Sequence, residues 1–162
     1  MTEPVTYPTL VPPPGWNRHV VGTQLRYLPP GTTPATARVA IVVSPRIPRL
    51  PRLPAPATLI AQTLDAERAR AGFTVVAQSA PREVHTATGL TGVEVTARLR
   101  MGDGVERRIY DLFEGPTCYQ GISYLAAEGE HDVHEAAFRA AAATIEPAPA
   151  SGDVSALAHW TE

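Results

Sequence analysis

The chain reads as an α+β domain: a twisted antiparallel β-sheet, largely a meander, flanked by helices. Three observations predict it. Residues 93–101 alternate Val93, Val95, Ala97, Leu99 and Met101 with Glu94, Thr96, Arg98 and Arg100, the period-two pattern of a strand with one wet face. Gly102-Asp103-Gly104 and Gly115-Pro116 then punctuate two further strand-like runs. Helical patterns stand before and after this meander, Ala57–Ile60–Ala61–Leu64 in the first and His134–Phe138–Ala141–Ile145 in the second. The 162 residues fit one domain over 15–146, preceded by a proline-rich segment 1–14 and followed by a proline-led tail 147–162.

The elements follow in order. Residues 20–28 read as one strand ended by Pro29-Pro30-Gly31. Residues 37–44 are the next, and the unbroken apolar run from Val39 to Val43 predicts burial on both faces. The two are expected to pair through loop 29–36. Residues 57–71 form a helix stopped by Gly72, with Asp65/Arg68 and Glu67/Arg70 spaced to pair on its polar side. Residues 73–78 and 82–88 are short strands. After 93–101 the chain returns along 105–114 in one of two registers: Arg100 opposite Glu106, or Val95 opposite Leu112. Residues 117–127 carry bulk on both faces and are expected at the sheet centre. The last helix, 133–145, has Asp132 as its expected cap, with Glu135 in capping-box position.

Composition excludes several chemistries. All 14 basic residues are arginine, so Schiff-base and phosphate-loop lysines are out. A net charge of −2 gives no general drive toward nucleic acid. Cys118 is the sole cysteine, so no intrachain disulfide and no cysteine-rich zinc cluster can form. No apolar run approaches a membrane span and the first residues do not resemble a secretory signal, so the expected setting is cytoplasmic.

No catalytic constellation emerges. Gly121-Ile122-Ser123-Tyr124-Leu125 lacks the second glycine of a nucleophile elbow, and its serine sits mid-strand. Glu130-His131-Asp132-Val133-His134-Glu135 gathers metal-ligand types, yet its histidines are three apart, where the helical zinc motif sets them four apart. Cys118 reads as a buried strand cysteine. Asp111 and Glu114 are considered as an acid/base pair and read as solvated strand-end charges. No catalytic residue, metal or cofactor is assigned.

The most distinctive segment is Pro-Arg-Ile, Pro-Arg-Leu, Pro-Arg-Leu, Pro over residues 45–54. In polyproline II, at three residues per turn, it spans about 28 Å and separates three faces. Arg46, Arg49 and Arg52 form a cationic face expected to point outward. Ile47, Leu50 and Leu53 form an aliphatic one. The strip reads either as a rigid connector covering an apolar margin or as a docking element for a protein partner, an acidic one suiting the guanidinium groups. Trp160, beyond the proline linker, is a further candidate anchor. A homodimer stays open.

Pro13-Pro14-Gly15-Trp16 resembles the opening motif of the PsbP-like superfamily, which includes a photosystem extrinsic subunit, a Ran-binding import factor and EagR-type secretion chaperones. Phe138 to Ile145 resembles its closing helical segment. The triplet strip and the tail depart from that pattern. The resemblance implies an α/β/α sandwich around an antiparallel sheet, and binding in place of catalysis. The expected function is a non-enzymatic adaptor or chaperone-like protein-binding domain of a bacterial cytoplasm. The alternative is a small-molecule or lipid-binding domain with a pocket between sheet and helix.

Overall fold

The computed structural model of the chain describes residues 7–48 and 53–147. Its elements are β1 (Asn17–Val21), β2 (Gln24–Leu28), β3 (Val39–Val43), β4 (Ile47–Pro48), α1 (Pro56–Ala71), β5 (Thr74–Gln78), β6 (Arg82–His85), β7 (Thr91–Met101), β8 (Gly104–Glu114), β9 (Cys118–Ala127) and α2 (His131–Ala142), with a 3-10 turn at Glu128–Glu130. The strands join in one antiparallel sheet of order β1-β2-β3-β9-β8-β7-β5, in which β4 also pairs with β9 and β6 with β7. This is an α+β fold, and β9, expected at the centre, lies there.

Two hairpins differ from the sequence reading. The single strand expected over residues 20–28 is two, because Gly22 takes φ +63° and turns the chain so that Val20 faces Leu25. The β7–β8 hairpin closes over Gly102-Asp103, with Met101 opposite Gly104 and Val95 opposite Tyr110, which is neither of the two expected registers. Gly102, at φ +58°, supplies the left-handed residue the tight turn needs.

Proline at the first turn starts α1, and Gly72, left-handed at φ +73°, ends it with its N–H donating to the Arg68 carbonyl. The helix buries Leu59, Ile60 and Leu64, while Ala61 is exposed, so its inner face is rotated slightly from the expected one. At α2 the helix begins at His131, and Asp132 makes no capping bond. Asp132 sits inside the first turn, where its charge still favours the helix dipole. Phe138 and Ala141 are buried as expected, and Phe138 stacks on Tyr124 at 5.3 Å.

Strand alternation directs β8 to two cores. Tyr110 and Leu112 pack with Leu59, Ile60 and Leu64 of α1. Ile109 and Phe113 pack with Phe138 and Ala141 of α2. Along the sheet, α1 covers β7 and β8, while α2 covers β9 and β3. Each helix therefore leaves part of its face without a helix over it. The opening motif also finds its place. Gly15, at φ +78°, closes a turn in which the Trp16 N–H donates to the Pro13 carbonyl, and Trp16 meets His134 edge-on at 5.5 Å. The preceding segment is tied down as well, since Thr9 and Glu146 exchange backbone hydrogen bonds of 3.1 and 2.8 Å.

Candidate functional site

Residues directly opposite one another on neighbouring strands form rows across a sheet. One such row runs Arg82 (β6), Glu94 (β7), Asp111 (β8). It lies on the face of α2, which adds Arg139 from above. Glu94 is 1 % exposed, so the wet face expected for it is instead a covered one. Its Oε1 accepts from Arg82 Nε at 3.0 Å and Nη2 at 2.7 Å, and from Arg139 Nη2 at 3.3 Å; its Oε2 accepts from Arg139 Nη1 at 3.0 Å. Arg139 also donates through Nε to Glu135 at 3.0 Å.

The two carboxyl groups of the row titrate apart. Burial alone would raise Glu94, but hydrogen bonds from Asp111, Arg139 and Arg82 outweigh it and hold the group down to about 2. Asp111, 6 % exposed, is pushed up to about 9 by burial and by the neighbouring Glu94 carboxylate, so it keeps its proton at neutral pH. Asp111 Oδ1 receives no donor from the described residues. The pair lines a cavity of about 410 Å³ between β6 and α2, walled by Val84, Phe113 and Ala142. Pairs of carboxyls split in this way mark acid/base sites in many enzymes. Here Glu94 is saturated by guanidinium donors, which suits it to holding charge more than to moving protons.

The other face carries the opposite arrangement. Arg108 is buried and donates to Glu67 of α1 at 2.5 Å, to Glu106 at 2.9 and 3.1 Å, and to the Tyr110 hydroxyl at 2.9 Å, with its guanidinium 5.1 Å from the Phe73 ring. Burial would lower its pKa, but Tyr110, Glu106 and Glu67 raise it, so the cation is permanent. Glu67 is thus spent on Arg108 and Tyr110, not on Arg70 as its spacing predicts. Beside this cluster a groove of about 450 Å³ opens over the β2–β3–β9 part of the sheet. Leu28, Ala40, Val105 and Leu125 line it, with Arg26 and Arg38 also on its walls.

The predicted site residues fall in several places. Arg46, expected to face outward, is 5 % exposed and donates through Nη2 to the Thr117 carbonyl at 3.3 Å. Ile47 is fully buried in β4, paired with Tyr119, and Leu53 is half-buried against the α1 core. At these positions the strip packs into its own domain. Arg49, Leu50, Arg52 and Trp160 lie outside the described residues.

Asp111 and Glu114, three apart on one strand, point to opposite faces and do not pair. His131 and His134 also part company. His134 meets Trp16, while buried His131 places Nδ1 3.2 Å from Asp132 Oδ1 and 3.4 Å from Glu135 Oε1. Both carboxylates already answer arginines, Arg107 and Arg139 respectively. Cys118 is buried, which pushes its thiol up and away from reactivity.

Arg82, Glu94 and Arg139 went unread in the sequence. The one available signal was Asp111, a lone carboxylate inside Ile109-Tyr110-Asp111-Leu112-Phe113. A charge within an otherwise apolar strand is buried and needs a partner.

No protein family and no curated protein matches the chain by sequence. Solved structures match it in shape. Cyanobacterial PsbP (CyanoP) from Synechocystis sp. PCC 6803 superposes with a TM-score of 0.55 at 14% identity, covering 87% of this chain and 92% of that one. A Pseudomonas aeruginosa protein of unknown function, PA94, described as a putative regulator, gives 0.50 at 14% identity, covering 83% and 99%. The fold is PsbP-like. No helix among the described residues is long and apolar enough to cross a membrane.

Proposed function

We propose that this chain is a non-enzymatic adaptor or chaperone-like domain of a bacterial cytoplasm, holding a protein partner in the groove over β2, β3 and β9. The observation that carries the reading is the uneven cover of the α1 face. α1 lies on β7 and β8, while Leu28, Ala40, Val105 and Leu125 line an open groove beyond it. An apolar floor between charged walls fits an amphipathic segment, which fills the groove with apolar side chains and leaves its polar side at the edge. Arg26 and Arg38 share the walls with Glu106 and Glu128, so polar residues of either charge can be met there. The state of the reactive side chains supports binding over catalysis. Cys118 is buried with a raised thiol, and Ser123 lies within β9.

A photo-crosslinking residue placed at Val105 tests this, with the same residue at exposed Val20 of β1 as control. The reading expects one protein adduct in cells at Val105 that is absent at Val20, and lost when Leu125 is changed to Glu. Equal labelling at the two positions, or no adduct at Val105, refutes it.

A further inference from the structure

We propose that residues 148–162 of this chain lie along the open edge of β1, with their apolar side chains against Val20 and Val21 and their carboxylates toward Arg18 and Arg26. This goes beyond the groove reading and does not depend on it, since no residue of β1 lines the groove.

The two edges of the sheet are managed differently. An edge strand offers unpaired N–H and C=O groups to any other strand, so proteins bend it, charge it or cover it. The far edge carries the first two devices. β5 shifts register between Val75 and Ala77, and the short β6 bears Arg82, Glu83 and His85. β1 pairs with β2 residue by residue without a shift, and among the described residues nothing pairs with its other side. It ends in Val20, 58% exposed, and Val21, 38% exposed. Cover is the device left for it.

Charge says which cover suits. Between Glu3 and Asp65 the sequence has no acidic residue. The β1–β2 hairpin carries Arg18, His19 and Arg26 with no acid of its own. Arg18 is exposed, and Arg26 donates to the neutral side chain of Gln24. A second copy of β1 would bring arginine toward arginine, so the edge favours an acidic segment over itself. Residues 148–162 are such a segment. They hold Asp153 and Glu162, no arginine, and the apolar Val154, Leu157 and Trp160.

The chain is also aimed at this edge. Thr9 and Glu146 form an antiparallel bridge, so the chain beyond Glu146 is directed back toward Tyr7. The Tyr7 hydroxyl donates at 2.9 Å to the carbonyl of Thr23, which lies in the turn between β1 and β2. Length allows the rest. Pro147 sits against Gly115 at the end of β8, and β1 is four strands away, roughly 19 Å at about 4.8 Å per strand. The stretch from Pro147 to Trp160 reaches up to about 43 Å.

The test places a photo-crosslinking residue at Trp160 of the full chain and locates its product by mass spectrometry in dilute solution. The expected link falls within residues 19–26 of the same chain. Such a link adds no partner protein, so it leaves the control at Val20 unchanged. Arg18→Glu, on an exposed side chain, is expected to lower the yield about fivefold. About 0.5 M sodium chloride is expected to lower it in the native chain as well. The proposal is overturned if the links fall only on other segments, or only between two chains. It is equally overturned if neither the charge reversal nor the salt changes the yield.

Discussion

The two faces of the sheet bury charge in opposite ways. On the α1 face a cation, Arg108, is enclosed by carboxylates from Glu67 and Glu106 and by the Tyr110 hydroxyl. On the α2 face an anion, Glu94, is enclosed by arginines from β6 and α2. The first arrangement is complete: every donor direction of Arg108 meets an acceptor or the Phe73 ring. The second holds one carboxyl too many. Glu94 uses the available guanidinium groups, and Asp111 keeps a proton and hydrogen-bonds Glu94. A closed cluster locks an element in place, as Arg108 ties α1 to β8 through Glu67. An unclosed one depends on a retained proton and therefore on pH.

Several measurements break or sharpen this contrast. Arg108→Ala is expected to have the largest effect, a loss of about 4 kcal/mol in urea unfolding, because two half-buried carboxylates lose their shared cation. A loss under about 1 kcal/mol would show that the closed cluster does not hold α1 to the sheet. Glu94→Ala should cost about 3 kcal/mol, slightly less, since Arg82 and Arg139 reach water when their partner is removed. If it costs more than Arg108→Ala, the ranking of closed over unclosed clusters fails.

Next in size is a pH dependence peculiar to the α2 face. Asp111 carries a folded pKa raised to about 9 from an ordinary 3.8, so the folded state binds the extra proton between those values. Its contribution to stability is full below about 4 and is lost as pH rises through about 9. Glu94, lowered to about 2, has the reverse sign, stabilising above its ordinary 4.5 and losing that as pH falls through about 2. Thermal melts from pH 5 to 9 should therefore decline in the native chain and flatten in Asp111→Asn. Parallel slopes in the two proteins would place the proton elsewhere. The smallest effect belongs to Asp65 and Arg68, an exposed pair one turn apart on α1; Arg68→Ala should change stability by less than about 0.5 kcal/mol.

The sheet was legible because alternation and turn chemistry are local. The pattern from Val93 to Met101 and the doubly apolar strand β9 stand where expected, whereas the turn between β7 and β8 closes in neither expected register. The first hairpin was hidden, since Gly22 sits within a run of strand-forming residues and only its left-handed conformation divides them. The candidate site was hidden for a different reason. Alternation assigns Glu94 to a face, but it cannot say that Arg139, 45 residues later, arrives to cover that face. The outward arginine face of the triplet strip failed at Arg46 because that residue adjoins β4, which joins the sheet beside β9 and draws its neighbours inward. Periodicity gives each side chain a direction; only the assembled layers give it an environment.

The seam between β3 and β9 has a consequence for how the molecule assembles. Ser44 and Gly121, 77 positions apart, meet there, the Ser44 N–H donating to the Gly121 carbonyl and the Gly121 N–H to the Ser44 hydroxyl. The β7–β8–β9 ribbon, by contrast, closes through two short turns. Nearby segments find one another sooner than distant ones, so the ribbon is expected to form early and the β1–β3 arm to join it late. Pulsed hydrogen exchange during refolding should protect the amides of Val95 and Tyr110 before those of Ile41 and Val43; simultaneous protection would contradict this order. The newly made arm would then wait, with Ile41 and Val43 uncovered, until β9 leaves the ribosome.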